Sequence, residues 1–269
     1  MSLAITGKTA IVTGAASSLG LAIARHFIDR GALVVCSDID EERLEAEFGD
    51  LARHDGPVRL FAADLCEKLS MANLLSTAID GFGQVDILVN AARMFVPDDP
   101  LDPASDALMT MLRHNLMAGL KLSQMTARRM IQQAEREGRE HGELGAIVNV
   151  SSVAARRAQP GILSYSIACA AQDQATRSLA VALAAHRIRV NGVAFASVMS
   201  GSLQGALKEN EGWRDEIVAG TPLGRIAPPT ELVETVQYLS SPAASFVTGQ
   251  IVTVDGGRDL LDPVRVPAY

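Results

Sequence analysis

Cysteine is scarce in this chain and nowhere clustered. Cys36, Cys66 and Cys169 are odd in number, widely spaced and outside any C-x-x-C or Cys/His run, which argues against a disulfide scaffold and a structural zinc motif. They read as reduced thiols, and no metal is expected. Positive charge is also short. With 24 Lys+Arg against 31 Asp+Glu, the net charge of -7 offers no basic face for a phosphate polymer, so no nucleic-acid partner is expected. No stretch reaches about 18 uncharged apolar residues, and Met1-Ser2-Leu3-Ala4-Ile5-Thr6 has neither a positive nor a long apolar region. Neither signal peptide nor membrane span is expected, and the cytoplasm follows by default. Linkers, repeats and low-complexity tracts are missing too. The polar run at 132–143 extends a solvated helix end and loop, and 269 residues at 48% hydrophobic suit one domain over 1–269.

What is present is an alternation. Seven runs rich in β-branched residues predict strands at Lys8–Thr13, Ala32–Ser37, Val58–Ala62, Ile87–Asn90, Ala146–Val150, Arg189–Val193 and Gln250–Val254. Amphipathic stretches between them predict helices at Ser18–Arg30, Glu41–Arg53, Glu67–Phe82, Pro103–Glu137, Ser164–Ala185 and Pro229–Leu239. This is the pattern of a doubly wound α/β domain of the Rossmann type, a parallel sheet covered by helices on both faces.

The first strand ends in Thr13-Gly14-Ala15-Ala16-Ser17-Ser18-Leu19-Gly20 and runs into a helix. A small-residue turn at a helix N-terminus suits a pyrophosphate, because unpaired N–H groups and a partial positive charge face it and glycine lets backbone approach. Eighteen residues after Gly20, Asp38 ends the second strand, where a carboxylate can accept both adenosine ribose hydroxyls and repel a 2'-phosphate. NAD is favoured over NADP.

That turn, Val89-Asn90-Ala91-Ala92, Val148-Asn149-Val150-Ser151-Ser152, Tyr165 thirteen residues after Ser152, and Thr248-Gly249-Gln250 through Val254-Asp255-Gly256-Gly257 resemble the short-chain dehydrogenase/reductase family over about residues 6–257. The resemblance implies strand order 3-2-1-4-5-6-7, hydride transfer between nicotinamide and an alcohol or carbonyl substrate, and a homo-oligomer, dimer or tetramer. It makes Tyr165 the general acid/base, Ser152 its partner at the carbonyl oxygen and Asn115 the holder of a relay water. Gly14, Ser17, Ser18, Leu19, Gly20, Asp38, Ile39, Asp64, Leu65, Asn90, Ala91, Val198 and Ser200 become the cofactor set, with Asp64 beside the adenine, Asn90 bracing the sheet and Ser200 in place of a Thr at the carboxamide. A phenol and a serine hydroxyl suit these tasks, since each can donate and accept at a developing oxyanion.

Five departures fall on the same ligand path. Where the family carries a Lys four residues after its Tyr, this chain has Cys169. A phenol has pKa about 10, so only about one part in a thousand ionises at pH 7 without a cation nearby. A unit charge about 4 to 5 Å away at an effective dielectric near 20 supplies roughly 3 to 4 kcal/mol, and a neutral thiol supplies none. Ser18 replaces the middle glycine of the turn, Ala91 the second Asn after strand four, Arg93 a glycine, and Phe195-Ala196 a Pro-Gly pair. A Cβ at Ser18 costs about 1 kcal/mol if its φ is positive. Arg93 and Phe195, if turned inward, take space the cofactor needs. Arg93 is alternatively a substitute cation for Tyr165, because a guanidinium is always charged and long enough to reach it.

Several features carry less. Arg156 and Arg157 are candidates for meeting an acidic substrate, or simply solvated. His114 adjoins Asn115, but helix neighbours point about 100° apart, so it reads as packing. Methionines along 109–130 read as core and subunit interface, and 200–220, with Gly201, Gly205, Gly212 and Trp213, as a mobile substrate lid. Two functions stay open: an NAD-dependent oxidoreductase impaired at Cys169, and a non-catalytic member retained as a binding or assembly scaffold.

Overall fold

The computed structural model describes residues 2–53 and 55–262, so Met1, His54 and the end of the expected 1–269 domain lie outside the described residues. Seven strands, β1 Thr9–Thr13, β2 Leu33–Asp38, β3 Val58–Ala62, β4 Ile87–Asn90, β5 Gly145–Ser152, β6 Ile188–Phe195 and β7 Ile251–Val254, form one sheet in the order β3-β2-β1-β4-β5-β6-β7. Every pairing is parallel. β1, β4 and β5 are buried along their whole length, which a parallel sheet covered on both faces requires.

Alternation along each strand divides the core in two. Ala10, Val12, Val34 and Val89 face helices α1 (Ser18–Asp29), α2 (Glu41–Phe48) and α9 (Thr230–Ser240), where Phe27, Phe48 and Leu239 are buried. Ile11, Val35, Leu88 and Ile147 face α3 (Lys68–Phe82), α5 (Ala118–Arg136) and α6 (Leu163–Ala184). The two-residue period of a strand makes this division automatic.

The elements differ from the sequence-based expectation at three places that matter for the site. β5 and β6 each run two residues further than their apolar pattern, to Ser152 and Phe195, and the register pairs those two residues directly. The helix expected from Pro103 begins at Ala107 as α4 (Ala107–Leu112), because the Asp-Pro-Ala-Ser-Asp run 102–106 favours turns. It then widens into a π turn, Arg113–Met117, before continuing as α5. The expected lid loop at 200–220 contains two short helices, α7 (Gly201–Glu209) and α8 (Trp213–Ala219), separated at Gly212 with φ +86°. No described helix is long and apolar enough to cross a membrane.

One buried cation fastens the β6 end of the sheet. Arg189 holds Glu143 through two 2.9 Å bonds and donates to the Leu239 and Ser241 carbonyls at 2.7 and 3.1 Å. Arg189→Met leaves these acceptors without their donor while keeping the apolar volume. An unfolding midpoint in urea is expected to report a loss of about 3 kcal/mol, the lower end of the range for one partner of a buried pair because Glu143 is partly exposed.

Candidate active site

The turn after β1 is shaped by exclusion. Gly14 has φ +69°, and a Cβ there would lie 2.7 Å from the Ala92 backbone; a Cβ on Gly20 would collide with the Gly14 carbonyl. The first turn of α1 therefore presses against bare backbone, and no side chain caps its N-terminus. Ser17 instead donates to the Gly14 carbonyl at 2.7 Å. Leu19 is buried beneath the turn. An uncapped helix start without an acidic residue in its first turn is a receptive place for a phosphate group.

Asp38 closes this end. One carboxylate oxygen accepts from Ala16 N at 3.0 Å and the other from Ile39 N at 2.8 Å, so the group is fixed beside the turn while the Ile39 side chain stays exposed. Thr13 Oγ1 accepts from both Ala91 N and Ala92 N at 3.1 Å, joining β4 to the turn. Leu65 packs on the core below. These residues fit the adenosine and pyrophosphate half of a dinucleotide. Ser18 lies within α1 rather than at positive φ, so its Cβ carries no backbone penalty, and its Oγ accepts from Gly201 N at 2.9 Å, tying the turn to α7. Ser200 caps α7 through Leu203 N at 3.1 Å, and Val198 bridges to Ala227.

The middle of the site is braced by amides. Asn90 Nδ2 donates to Ser123 Oγ at 2.9 Å and Asn149 Oδ1 at 2.8 Å, and Asn149 Nδ2 passes the chain to Thr176 Oγ1 at 2.8 Å. Asn115, presented by the π turn, grips the Met94 backbone from both sides, accepting from its N–H at 2.7 Å and donating to its carbonyl at 2.8 Å. Both ends of the Asn115 amide are thereby engaged by main chain, and its side chain fixes the segment after β4 where a relay water was expected.

That segment carries Arg93. Its guanidinium carbon lies 5.2 Å from the centroid of the Tyr165 ring and 4.5 Å from that of Phe195, and Phe95 meets Tyr165 edge-on at 5.3 Å. Both bulky departures thus turn inward. Arg93 Nη1 is buried with no hydrogen-bond partner, and no carboxylate among the described residues pairs with it. Burial lowers its pKa from 12.5 to about 10, which leaves it cationic at neutral pH. Stacking on aromatic faces compensates part of the desolvation, about 2 kcal/mol for a buried contact.

Tyr165, Cys169 and Asp173 follow one another at four-residue spacing on α6, and all three are buried. Burial pushes the Cys169 thiol up to about 11; Arg93 opposes the shift and Asp173 adds to it. Burial also raises the Asp173 carboxyl, against Ser151, Arg177 and Arg156. Ser152 Oγ accepts from Ala154 N at 3.2 Å, and no hydrogen bond joins it to Tyr165 among the described residues. Arg156 and Arg157 do not wait for an acidic substrate: both pair with Asp259, at 3.4 and 2.8 Å.

Several participants escaped the sequence. Phe95 and Met94 carry no motif, and only the extra residue of the π turn aims Asn115 at Met94. Cys66 and His114 lie 3.2 Å apart, Sγ to Nδ1, with Asp64 alongside, although 48 residues separate them in the chain. A cavity of about 520 Å³ lies between 221–227 and 252–257, and Tyr165 does not line it.

Residues 14–259 match the family model described as enoyl-(acyl carrier protein) reductase. The chain is 36% identical over 258 residues to cis-4-hydroxycyclohexanecarboxylate dehydrogenase of Sinomonas cyclohexanicum, covering 96% of this chain and 98% of that one. The crystal structure of 7α-hydroxysteroid dehydrogenase with NADH and 7-oxo glycochenodeoxycholic acid superposes with TM-score 0.85 at 31% identity, covering 95% of each chain. Gluconate 5-dehydrogenase of Burkholderia cenocepacia, solved with NADP and tartrate, gives TM-score 0.85 at 27% identity, covering 97% of this chain and 98% of that one.

Burial and proton affinity separate the three thiols. Cys36 and Cys169 are buried and hold their protons strongly, whereas Cys66 is partly exposed. An aromatic disulfide reagent near pH 8 is expected to titrate one thiol per native chain and all three in denaturant; rapid reaction of a second native thiol would show that the packing over Cys169 opens.

Proposed function

The chain belongs to the short-chain dehydrogenase/reductase family and is an oxidoreductase of that type, and from that premise we propose that it is NAD-dependent, with Tyr165 as acid/base and Arg93 in the electrostatic role of the missing lysine. The observation that carries this reading is the guanidinium stacked 5.2 Å from the Tyr165 ring centre, beside Cys169. When bound, the nicotinamide supplies or accepts the hydride. Asp38 would hold the adenosine ribose hydroxyls, and the start of α1 the pyrophosphate. Ser152 donates to the substrate oxygen while Tyr165 gives or takes the proton there. Arg93 favours the phenolate by charge alone, since a buried positive group stabilises an adjacent developing negative one.

Arg93 also stands against Phe195, at the end of the cleft that the nicotinamide requires. Four flexible torsions would let its side chain leave that ring to make room for a bound nicotinamide. The free Nη1 is a ready partner for a substrate carboxylate, and the Sinomonas relative is named for a hydroxy acid. Alcohols and ketones bearing a carboxylate therefore come first among substrates. Exposed Met117 on the π turn and Ile167 and Val181 on α6 suit a homo-oligomer paired along these elements in the cytoplasm.

Titration with NADH and NADPH, followed by fluorescence and melting temperature, tests the cofactor. NADH is expected to bind more tightly, and Asp38→Ser to erase the difference; no response to either nucleotide would return the chain to the scaffold reading. Arg93→Gln tests the cation. Turnover near neutral pH is expected to fall about 10²-fold, and the pH at which alcohol oxidation reaches half its maximum to move upward. An unchanged pH profile would remove Arg93 from the proton-transfer machinery.

A further inference from the structure

At the β3 side of the sheet, away from Tyr165, a second group of reactive side chains converges. The loop between β3 and α3 supplies Asp64 and Cys66, and the π turn supplies His114. Asp64 Oδ1 accepts from Cys66 N at 2.7 Å, closing a tight turn that sets carboxylate and thiol side by side. Cys66 Sγ lies 3.2 Å from His114 Nδ1. One ligating atom from each residue can be chosen so that all three lie within 4.8 Å of one another.

We propose that Asp64, Cys66 and His114 form a binding site for a divalent transition-metal cation of the zinc class. The spacing suits it: bonds of roughly 2.0 to 2.3 Å from a tetrahedral centre put ligand atoms about 3.3 to 3.7 Å apart, within about 1 Å of the distances already present. The donor set selects the ion. One thiolate, one imidazole and one carboxylate favour Zn²⁺ or Co²⁺ over Mg²⁺ and Ca²⁺, which take oxygen ligands. Three protein ligands leave a fourth position for water.

The proton balance is simple. A thiol ligates a cation only after giving up its proton. The cation takes the place of that proton, which leaves to solvent, while neutral His114 offers the Nδ1 lone pair and Asp64 an ionised oxygen. Arg113 is the opposing charge on the same turn, and it is held by Glu67 at 3.0 Å. A bound cation would pin the β3–α3 loop to the π turn that aims Asn115. The site owes nothing to the oxidoreductase reading, although it uses the carboxylate that the family resemblance sets beside the adenine.

The test is spectroscopic and needs no substrate. Full-length protein, stripped with chelator and kept reduced, is titrated with Co²⁺. One equivalent per chain is expected to produce the thiolate-to-cobalt charge-transfer band and the visible bands of a four-coordinate ion, and Zn²⁺ to displace it. Cys66→Ser should abolish the charge-transfer band with Cys36 and Cys169 intact, and His114→Ala should weaken binding at least about tenfold. Circular dichroism confirms that each variant is folded, and the partly exposed positions of both side chains make them tolerant of change. Absence of the band in folded wild type, or its persistence in Cys66→Ser, would overturn the site.

Discussion

A parallel sheet covered on both faces must fill its interior with apolar side chains, so polar groups can gather only where the strands end, and here they gather at the carboxyl edge. The register decides which of them meet. β5 and β6 run together for eight residues, Gly145↔Ile188 to Ser152↔Phe195, and the pair that emerges last is a hydroxyl beside an aromatic ring. α6 starts eleven residues beyond Ser152 and returns across that edge, carrying Tyr165 over it. The segment after β4 is fixed from two sides, by Thr13 at Ala91 and Ala92 and by Asn115 at Met94. Arg93 stands between those anchors, so its backbone is fixed by hydrogen bonds while its charged end meets only the Tyr165 and Phe195 rings among its aromatic neighbours.

That constraint explains how a buried guanidinium can persist without an ion pair among the described residues. Desolvating an unpaired charge is costly, and its lowered proton affinity records the cost. Two aromatic faces return part of it, and a planar, delocalised cation is better suited to such a slot than an ammonium would be. In the proposed reading the cation moves from α6 to the β4 loop, which changes what it can do. A lysine four residues after Tyr165 would share its helix face and could also reach a ribose hydroxyl. Arg93 comes from the β4 loop instead, and in that reading only its charge stands in for the lysine.

The fold was legible because its signals are redundant. Each strand is announced by a run of β-branched residues and α1 to α6 and α9 by apolar stripes, whereas α7 and α8 fall where only a lid was expected; the turn and Asp38 show in their spacing, and Tyr165 through the family resemblance. The inward direction of Arg93 was legible only as an alternative, because a sequence specifies a side chain's length and not the anchors that aim it. The grip of Asn115 on Met94 was hidden for a related reason. A π turn inserts one residue into a ladder whose apolar pattern reads as uninterrupted helix, and the extra residue turns the amide onto Met94. Cys66 and His114 stayed apart in any reading by spacing, since ligand motifs are recognised by short intervals and these two residues come from different elements.

The same π turn couples the two ends of the cleft. On one side it presents Asn115, which holds the segment carrying Arg93; on the other it presents His114 to the loop that carries Asp64. Neighbouring residues of a helix diverge by about 100°, so a single turn can address both walls at once. A displacement of this turn would therefore reach the cation beside Tyr165 and the acid beside the expected adenine together. The widened backbone is less a defect in a long helix than the element that sets the distance between them.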